Sequence, residues 1–383
     1  MIRVDMIPSV IGLLILGTLR SIGQVAFVNS AVTGLLIYVG CSLSNPLSAL
    51  LGIIATATCT SLGYLIKPER ERAINGLHGY NGFLVGMGMG YFDTGLSLDK
   101  SAWYRFGVLL VPLLCATLLC FFVHMALSRS RLVPPFTFAY NISLSCWLAF
   151  AVGLGPTSAF YPVFVSSQIV PPSNASIEYS AIDFGWFIRS VLAGVGQVYF
   201  SPALVPSIII TVGLVVGSPI AGLLGLLGSV VGNGVAIIAH SQMWAAEIGL
   251  DGLSAVLCAI GLGGFVFVCT RWAVLVAICG SIFCVAARHV FSGLLVHPTG
   301  PAMTFPFCVI ATLIVLAAEG INCLIRVPAE VLGSCESHLA SRQDAELVAF
   351  SVAGGNSVSE AEIKAACLWP DLRAKIHKLD SLE

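Results

Sequence analysis

The chain has 383 residues, of which 57% are hydrophobic and 10% charged, and its net charge is -1. A soluble domain carries roughly 25% charged residues, so this composition excludes one, and without a basic excess a nucleic-acid partner is excluded too. With a mean hydropathy of +0.95, the chain reads as an all-α polytopic membrane protein.

Apolar stretches fall at about 6–19, 31–46, 47–65, 74–92, 104–127, 133–155 and 158–170, then at 186–200, 203–218, 219–240, 249–269, 272–292 and 301–325. A spanning helix needs about 20 apolar residues, so runs of roughly 14 to 16 predict re-entrant or discontinuous segments. A bilayer tolerates these only where protein or a wet cavity covers them. The first run follows Arg3 and flows into a motif that recurs later, so it reads as mature structure rather than a cleaved signal.

That recurrence organises the chain. Gly76-Leu77-His78-Gly79-Tyr80-Asn81 returns in degraded form as Gly249-Leu250-Asp251-Gly252-Leu253-Ser254, 173 residues later. The same offset carries Gly23-Gln24-Val25 and Phe27 onto Gly196-Gln197-Val198 and Phe200, and Gly88, Gly90 and Phe92 onto Gly261, Gly263 and Phe265. Pro134, Thr137 and Phe138 recur at an offset of 167 as Pro301, Thr304 and Phe305, so the first copy holds six extra residues between Phe92 and Pro134. The chain is an internal duplication.

It divides into a first membrane repeat (1–165), an inter-repeat loop (166–183), a second repeat (184–325) and a polar tail (326–383). The loop contains the sequon Asn174-Ala175-Ser176, a glycosylation candidate that places it outside the cell. A second sequon at Asn141 sits in an apolar run and reads as unmodified. The basic residues of the tail place the C-terminus in the cytoplasm. An external loop and an internal C-terminus require an odd number of crossings in the second repeat, so the repeats are inverted. Within the tail, 357–364 predicts one short helix in an otherwise flexible segment.

Gln24 and Gln197 lie in apolar stretches, where an unpaired amide costs several kcal/mol, so each needs a partner or a hydrated path. A lone glutamine reads as helix glue; one repeated at matched positions reads as function. Phe27 and Phe200, three residues on, share a face with them if these segments are helical. Thr137 and Thr304 follow proline turns, where a helix starts and the hydroxyl either faces a pore or bonds its own backbone. His78 and Asp251 share a variable slot and are expected at an exposed rim. Glu247, Glu319, His124 and His240 show no partner at relay or metal-ligand spacing. The thirteen cysteines lack any Cys-x-x-Cys and read as buried packing residues, as at Cys115, Cys120, Cys279 and Cys284. Intramembrane ionisable groups usually mark ion coupling. With no pair of them, the reading is passive movement of a neutral solute, with no cofactor and no metal.

Gly76-Leu77-His78-Gly79-Tyr80-Asn81 followed by Leu84-Val85-Gly86, together with Gly23-Gln24-Val25, Gly196-Gln197-Val198, Pro134, Thr137 and Pro301-Ala302-Met303-Thr304-Phe305-Pro306-Phe307, resembles the urea transporter family. The resemblance runs from about 19 to 324. It implies two inverted repeats, each of five transmembrane helices and one tilted re-entrant helix, enclosing a central pore in every protomer of a homotrimer. It further implies a plasma-membrane location and a glycosylated outer loop, which Asn174 matches. Urea would pass a slot bounded by paired Phe and Leu side chains, where Phe27 and Phe200 match the aromatic faces, with Leu84 and Leu257 beside them. Gln24 and Gln197 would bind it at the mouths, and Thr137 and Thr304 at the constricted centre. Urea is flat and neutral, and its amide hydrogens need the acceptors that such groups supply.

Two alternatives stand beside facilitated urea diffusion. One is a passive channel for ammonia, water or small amides. The other is a transport-inactive scaffold, since Leu253 and Ser254 replace Tyr80 and Asn81 in the second copy. An enzyme would need a nucleophile with a base or a metal cluster, and neither Ser/His nor His/Asp spacing suggests one.

Overall fold

The computed structural model describes residues 9–92, 101–129, 134–155, 158, 183–239, 243–295, 302–328, 331, 333–353 and 358–380. The first copy folds as α1 (Val10–Gln24), α2 (Ala31–Ser44), α3 (Pro46–Leu65), the short α4 (Arg70–Ile74), α5 (Tyr80–Tyr91), α6 (Ala102–Leu127) and α7 (Phe138–Gly153). The second follows as α8 (Phe184–Gln197), α9 (Leu204–Gly217), α10 (Pro219–Ile238), the short α11 (Met243–Glu247), α12 (Leu250–Ile260), α13 (Arg271–Leu295) and α14 (Phe305–Ala317). Shifted by 173 residues, the limits of α2 and α3 fall on those of α9 and α10.

The local causes recur as well. Asn45 and Ser218 are both extended, and each side chain accepts a hydrogen bond from the backbone N–H three residues on, at 3.1 Å. Each is followed by a proline at the first helical position, where the missing N–H costs nothing. Gly76 (φ 80°) and Gly249 (φ 77°) take the left-handed conformation. A Cβ on Gly76 would lie 2.5 Å from Ser21 N, and one on Gly249 would overlap the Ala193 backbone, so only glycine lets these turns press on α1 and α8.

Among the described residues, four helices, over 46–65, 103–127, 219–238 and 271–294, are long and apolar enough to cross a membrane, and six others are apolar but shorter. Large apolar side chains point outward at helical spacing, as Val111, Leu114, Leu118 and Phe122 do on α6 and Val205, Ile208, Val212 and Val216 on α9. Gln24, Asn81, Thr137, Asn141, Gln197 and Thr304 are buried. Water would not choose that arrangement, and lipid does. α2 and its counterpart α9 pack directly and antiparallel. Thr33 Oγ1 donates to Gly213 O at 2.9 Å, and a Cβ on Gly40 would lie 2.9 Å from Ile210 and 3.1 Å from Pro206 O.

Several expectations need correction. The first helix begins at Val10 and runs through Gln24 rather than ending near 19. Cys120 and Cys284 are buried, but Cys115 and Cys279 are exposed on the outer apolar surface. The stretch 159–170, the sequon at Asn174 and His240 lie outside the described residues.

The tail is largely helical, forming α15 (Cys335–Ala353), α16 (Glu360–Ala366) and α17 (Pro370–Asp380). Val268, Val327, Ala345, Ala366, Trp369, Leu372 and Ile376 make a separate apolar cluster there. Arg342 donates to both carboxylate oxygens of Asp371 at 2.8 and 2.7 Å and lies over the Trp369 ring. The polar composition hides this core because its few apolar residues are scattered and converge only around one tryptophan.

Candidate permeation site

Helices α1 and α8 end in the same way. Phe27 N–H bonds Gln24 O at 3.0 Å and Val28 N–H bonds Gly23 O at 3.1 Å; Phe200 N–H bonds Gln197 O at 3.1 Å and Ser201 N–H bonds Gly196 O at 3.0 Å. This is a Schellman closure, which normally places glycine at the left-handed position. Here phenylalanine occupies it, with φ 63° at Phe27 and 56° at Phe200. Phe27 and Phe200 therefore do not share a helical face with the glutamines, because the helix has already closed. The other two non-glycine residues with positive φ among those described are Phe136 (40°) and Met303 (46°), which precede Thr137 and Thr304. A left-handed non-glycine residue costs about 1–2 kcal/mol. Strain of this kind marks functional positions when surrounding structure enforces it.

The enforced rings meet partners from the opposite copy. Phe27 lies 4.7 Å from Phe265 between centroids and 6.1 Å from Phe307. Phe200 lies 5.9 Å from Phe92 and 6.4 Å from Tyr140. These two sets correspond under the repeat offsets. Tyr91 also lies 5.1 Å from Phe200. A Cβ on Gly261 would stand at ordinary contact, 3.4 Å from the Phe27 ring, and one on Gly88 would overlap Leu144 and lie 3.3 Å from the Phe200 ring. Leu84 and Leu257 are fully buried, one turn before Gly88 and Gly261 on α5 and α12.

At the starts of the helices that carry Tyr140 and Phe307, Thr137 Oγ1 and Thr304 Oγ1 lie 2.7 Å apart. Both threonines sit at helix N-caps, yet neither hydroxyl caps its own helix. Asn141 and Cys308, matched at the 167 offset, flank them. Asn141 Nδ2 donates to Thr304 Oγ1 at 2.8 Å and to Thr137 O at 3.0 Å, and its Oδ1 accepts from Thr304 N at 3.1 Å. Cys308 Sγ lies 3.1 Å from Thr137 Oγ1. The first copy supports its strained turn with Tyr80 and Asn81, which donate to Phe136 O at 2.6 and 3.3 Å. Their counterparts Leu253 and Ser254 are buried, and Ser254 Oγ has no partner among the described residues. Asn141 reaches across to hold the second turn at Thr304.

Gln24 Nε2 donates to Asn75 O at 3.1 Å. Gln197 Oε1 is buried and has no hydrogen-bond partner among the described residues. His78 and Asp251 are not at an exposed rim: both are about 1% exposed. His78 Nε2 lies 2.9 Å from Glu69, and Asp251 lies 3.0 Å from Arg288. These ionic partners stand in for solvent. His124, expected without partners, contacts Asn81 Nδ2 at 3.3 Å and Ser128 at 3.2 Å, whereas Glu247 and Glu319 are exposed. Phe92 and Phe265 were recoverable from the repeat but not from any local signal. For Asn141 the only local hint was a sequon, and its full burial leaves no room for a glycan. No group of three metal-ligating side chains occurs among the described residues.

Two matched sets of helices with an apolar outer surface and a buried polar centre define a multi-pass membrane protein. The profile of the urea transporter family matches residues 15–319, and the chain belongs to that family: it is a transporter and not an enzyme. It is similar to urea transporter 1 of Ovis aries, at 28% identity over 302 residues covering 78% of this chain and 75% of the relative. It is likewise similar to urea transporter 1 of Rattus norvegicus, at 28% identity over 314 residues covering 81% and 78%.

Proposed function

We propose that the protein carries urea by facilitated diffusion through a pore within each protomer. The observation that carries this reading is the Thr137–Thr304 hydroxyl pair, 2.7 Å apart, on the two helices whose Tyr140 and Phe307 meet Phe200 and Phe27. Urea needs acceptors for its amide hydrogens once water is removed, and the site offers Gln24, Thr137, Thr304 and the unpartnered Gln197 oxygen. A buried acceptor left unsatisfied costs about 1–3 kcal/mol, which a passing N–H recovers. Several such weak sites in a row let a solute both enter and leave. Phe27, Phe200 and their partners offer flat apolar faces that suit a planar neutral molecule and penalise a hydrated ion, with Leu84 and Leu257 behind them.

The antiparallel packing of α2 on α9 supports inverted repeats, because a helix antiparallel to its own counterpart crosses the membrane in the opposite sense. On this reading each repeat has five spanning helices and one tilted re-entrant helix. The same reading includes a homotrimer in the plasma membrane, a cytoplasmic C-terminus and a glycan on Asn174. The test is stopped-flow urea flux into liposomes holding the purified protein, beside water, ammonia and formamide. Saturable urea flux that ignores proton and sodium gradients is expected. Gradient dependence, or flux of the other solutes without urea, would overturn it.

A further inference from the structure

The two aromatic groups differ in how their helices end. Below Phe92, α5 closes regularly, with Phe92 N–H bonding Gly88 O at 2.9 Å. Around Phe265 the chain makes a π-turn over Gly261–Phe265, and Val266 N–H reaches back five residues to Gly261 O at 2.8 Å. Such turns displace the backbone ladder and free polar groups that must be satisfied elsewhere. Here Ile325 and the tail that follows it satisfy them. Val268 N–H, which would otherwise serve Gly264 O, bonds Ile325 O at 2.9 Å, and Val327 N–H bonds Val266 O at 2.9 Å. The Gly264 carbonyl so released meets His338 Nδ1 at 3.0 Å.

His338 is fully buried, and its tautomer is fixed by its contacts. Its Nε2 accepts from Gly333 N–H at 2.8 Å, so the proton sits on Nδ1 and points at Gly264. Its ring also packs 5.9 Å from that of Phe265. Cys335, one turn earlier, fills the space beside Gly264, where a Cβ would lie 2.6 Å from its Sγ. Glu336 accepts from Ser218 Oγ at 2.7 Å and from Ile220 N at 2.8 Å, tying α15 to the start of α10.

We infer that the C-terminal tail is part of the permeation machinery, and that His338 is a positioning residue that sets the Phe265 ring against Phe27 and so fixes which amides pass. The inference rests on the proposed pathway. The Phe27 and Phe265 rings are in contact at 4.7 Å, whereas a flat solute between them needs about 7 Å, two carbon contact distances of roughly 3.5 Å each. The rings must part, and Phe27 is held by a closed helix end while Phe265 rides on a turn that the tail completes.

The test compares wild type with His338→Ala and His338→Asn, all full-length, in liposomes. Asn places an N–H donor where Nδ1 stands and is expected to behave as wild type. His338→Ala removes the donor, and one such bond is worth about five-fold in an equilibrium. The thiourea-to-urea permeability ratio is therefore expected to rise by about that factor. Hydrogen exchange over 261–268, read without transport, is expected to accelerate in His338→Ala alone. Unchanged exchange and an unchanged ratio in a folded, urea-conducting His338→Ala protein would overturn the inference. Faster exchange with an unchanged ratio would also overturn it, by reducing His338 to a purely structural role. Absence of urea flux from wild type would instead sink the proposed pathway.

Discussion

Thr137 and Thr304 come from positions 167 residues apart and meet hydroxyl to hydroxyl at 2.7 Å, although neither caps the helix it begins. A hydroxyl pair can give and take one hydrogen bond internally and still present lone pairs to a solute. Replacing Thr137 by valine keeps the shape and removes an acceptor. Urea flux is expected to fall about five-fold, the worth of one hydrogen bond. Thr137→Phe, which fills the site, is expected to abolish flux in protein that still inserts and folds. Stopped-flow light scattering measures both, and equal flux in wild type and Thr137→Phe would remove the threonines from the pathway.

Asn141 joins the two copies through Thr304 N, Thr304 Oγ1 and Thr137 O. Asn141→Ala strands the Thr304 N–H in a buried site, at a cost of about 1–3 kcal/mol. A fall in Tm of several degrees is expected by thermal unfolding in detergent, together with loss of flux. Cys308→Ser occupies the matched position with a weaker role and is expected to keep both. Equal Tm in wild type and Asn141→Ala would mean that the second strained turn does not depend on Asn141.

The Gly261 side of the aromatic contact gives a graded test. A Cβ there would stand 3.4 Å from Phe27 and 3.5 Å from Phe307, a separation at ordinary contact, so Gly261→Ala is expected to fold. A branched side chain at the same place must push the Phe27 ring. Gly261→Val is expected to lower methylurea flux more than urea flux, read as a change in their ratio. A parallel fall in both would point to general misfolding rather than to a narrowed passage.

Much of the fold was legible because the duplication is written in residues that constrain the backbone. Gly76 and Gly249 must be glycine to take their turns, and Asn45-Pro46 and Ser218-Pro219 start helices by the same chemistry. The pairing of the threonines was foreshadowed by the repeat, but their direct contact was not, since it depends on how the copies pack. Phe27 and Phe200 were read on a helical face because propensity gives no reason to expect phenylalanine in a left-handed cap. His78 and Asp251 were placed at a rim because each partner, Glu69 or Arg288, comes from outside the motif. The order of the tail is hidden in the sequence because one tryptophan organises it, and no periodicity announces that.

The tail also makes its docking depend on pH. Burial pushes the His338 imidazole below its ordinary value, against the pull of the Gly264 carbonyl and of the Glu336 carboxylate. Burial also acts to raise the Glu336 carboxyl, but Ile220 N–H, Ser218 and its other hydrogen bonds outweigh this and hold it below the usual range. Glu336 therefore stays charged while His338 begins to titrate. A docked histidine with a lowered pKa contributes stability that is complete above the free value of about 6.5 and is lost as pH falls below it, because the undocked side chain takes up a proton that the docked one resists. Protonation also sets an Nε2–H against Gly333 N–H, two donors facing each other. Exchange over 261–268, taken relative to the intrinsic amide rate, is therefore expected to speed up as pH falls from 7.5 to 5.5 in wild type. In His338→Asn, which keeps the donor but does not titrate, it should follow only the intrinsic pH dependence of amide exchange. If the two proteins show the same profile after that correction, the pH sensitivity belongs to another group and not to His338.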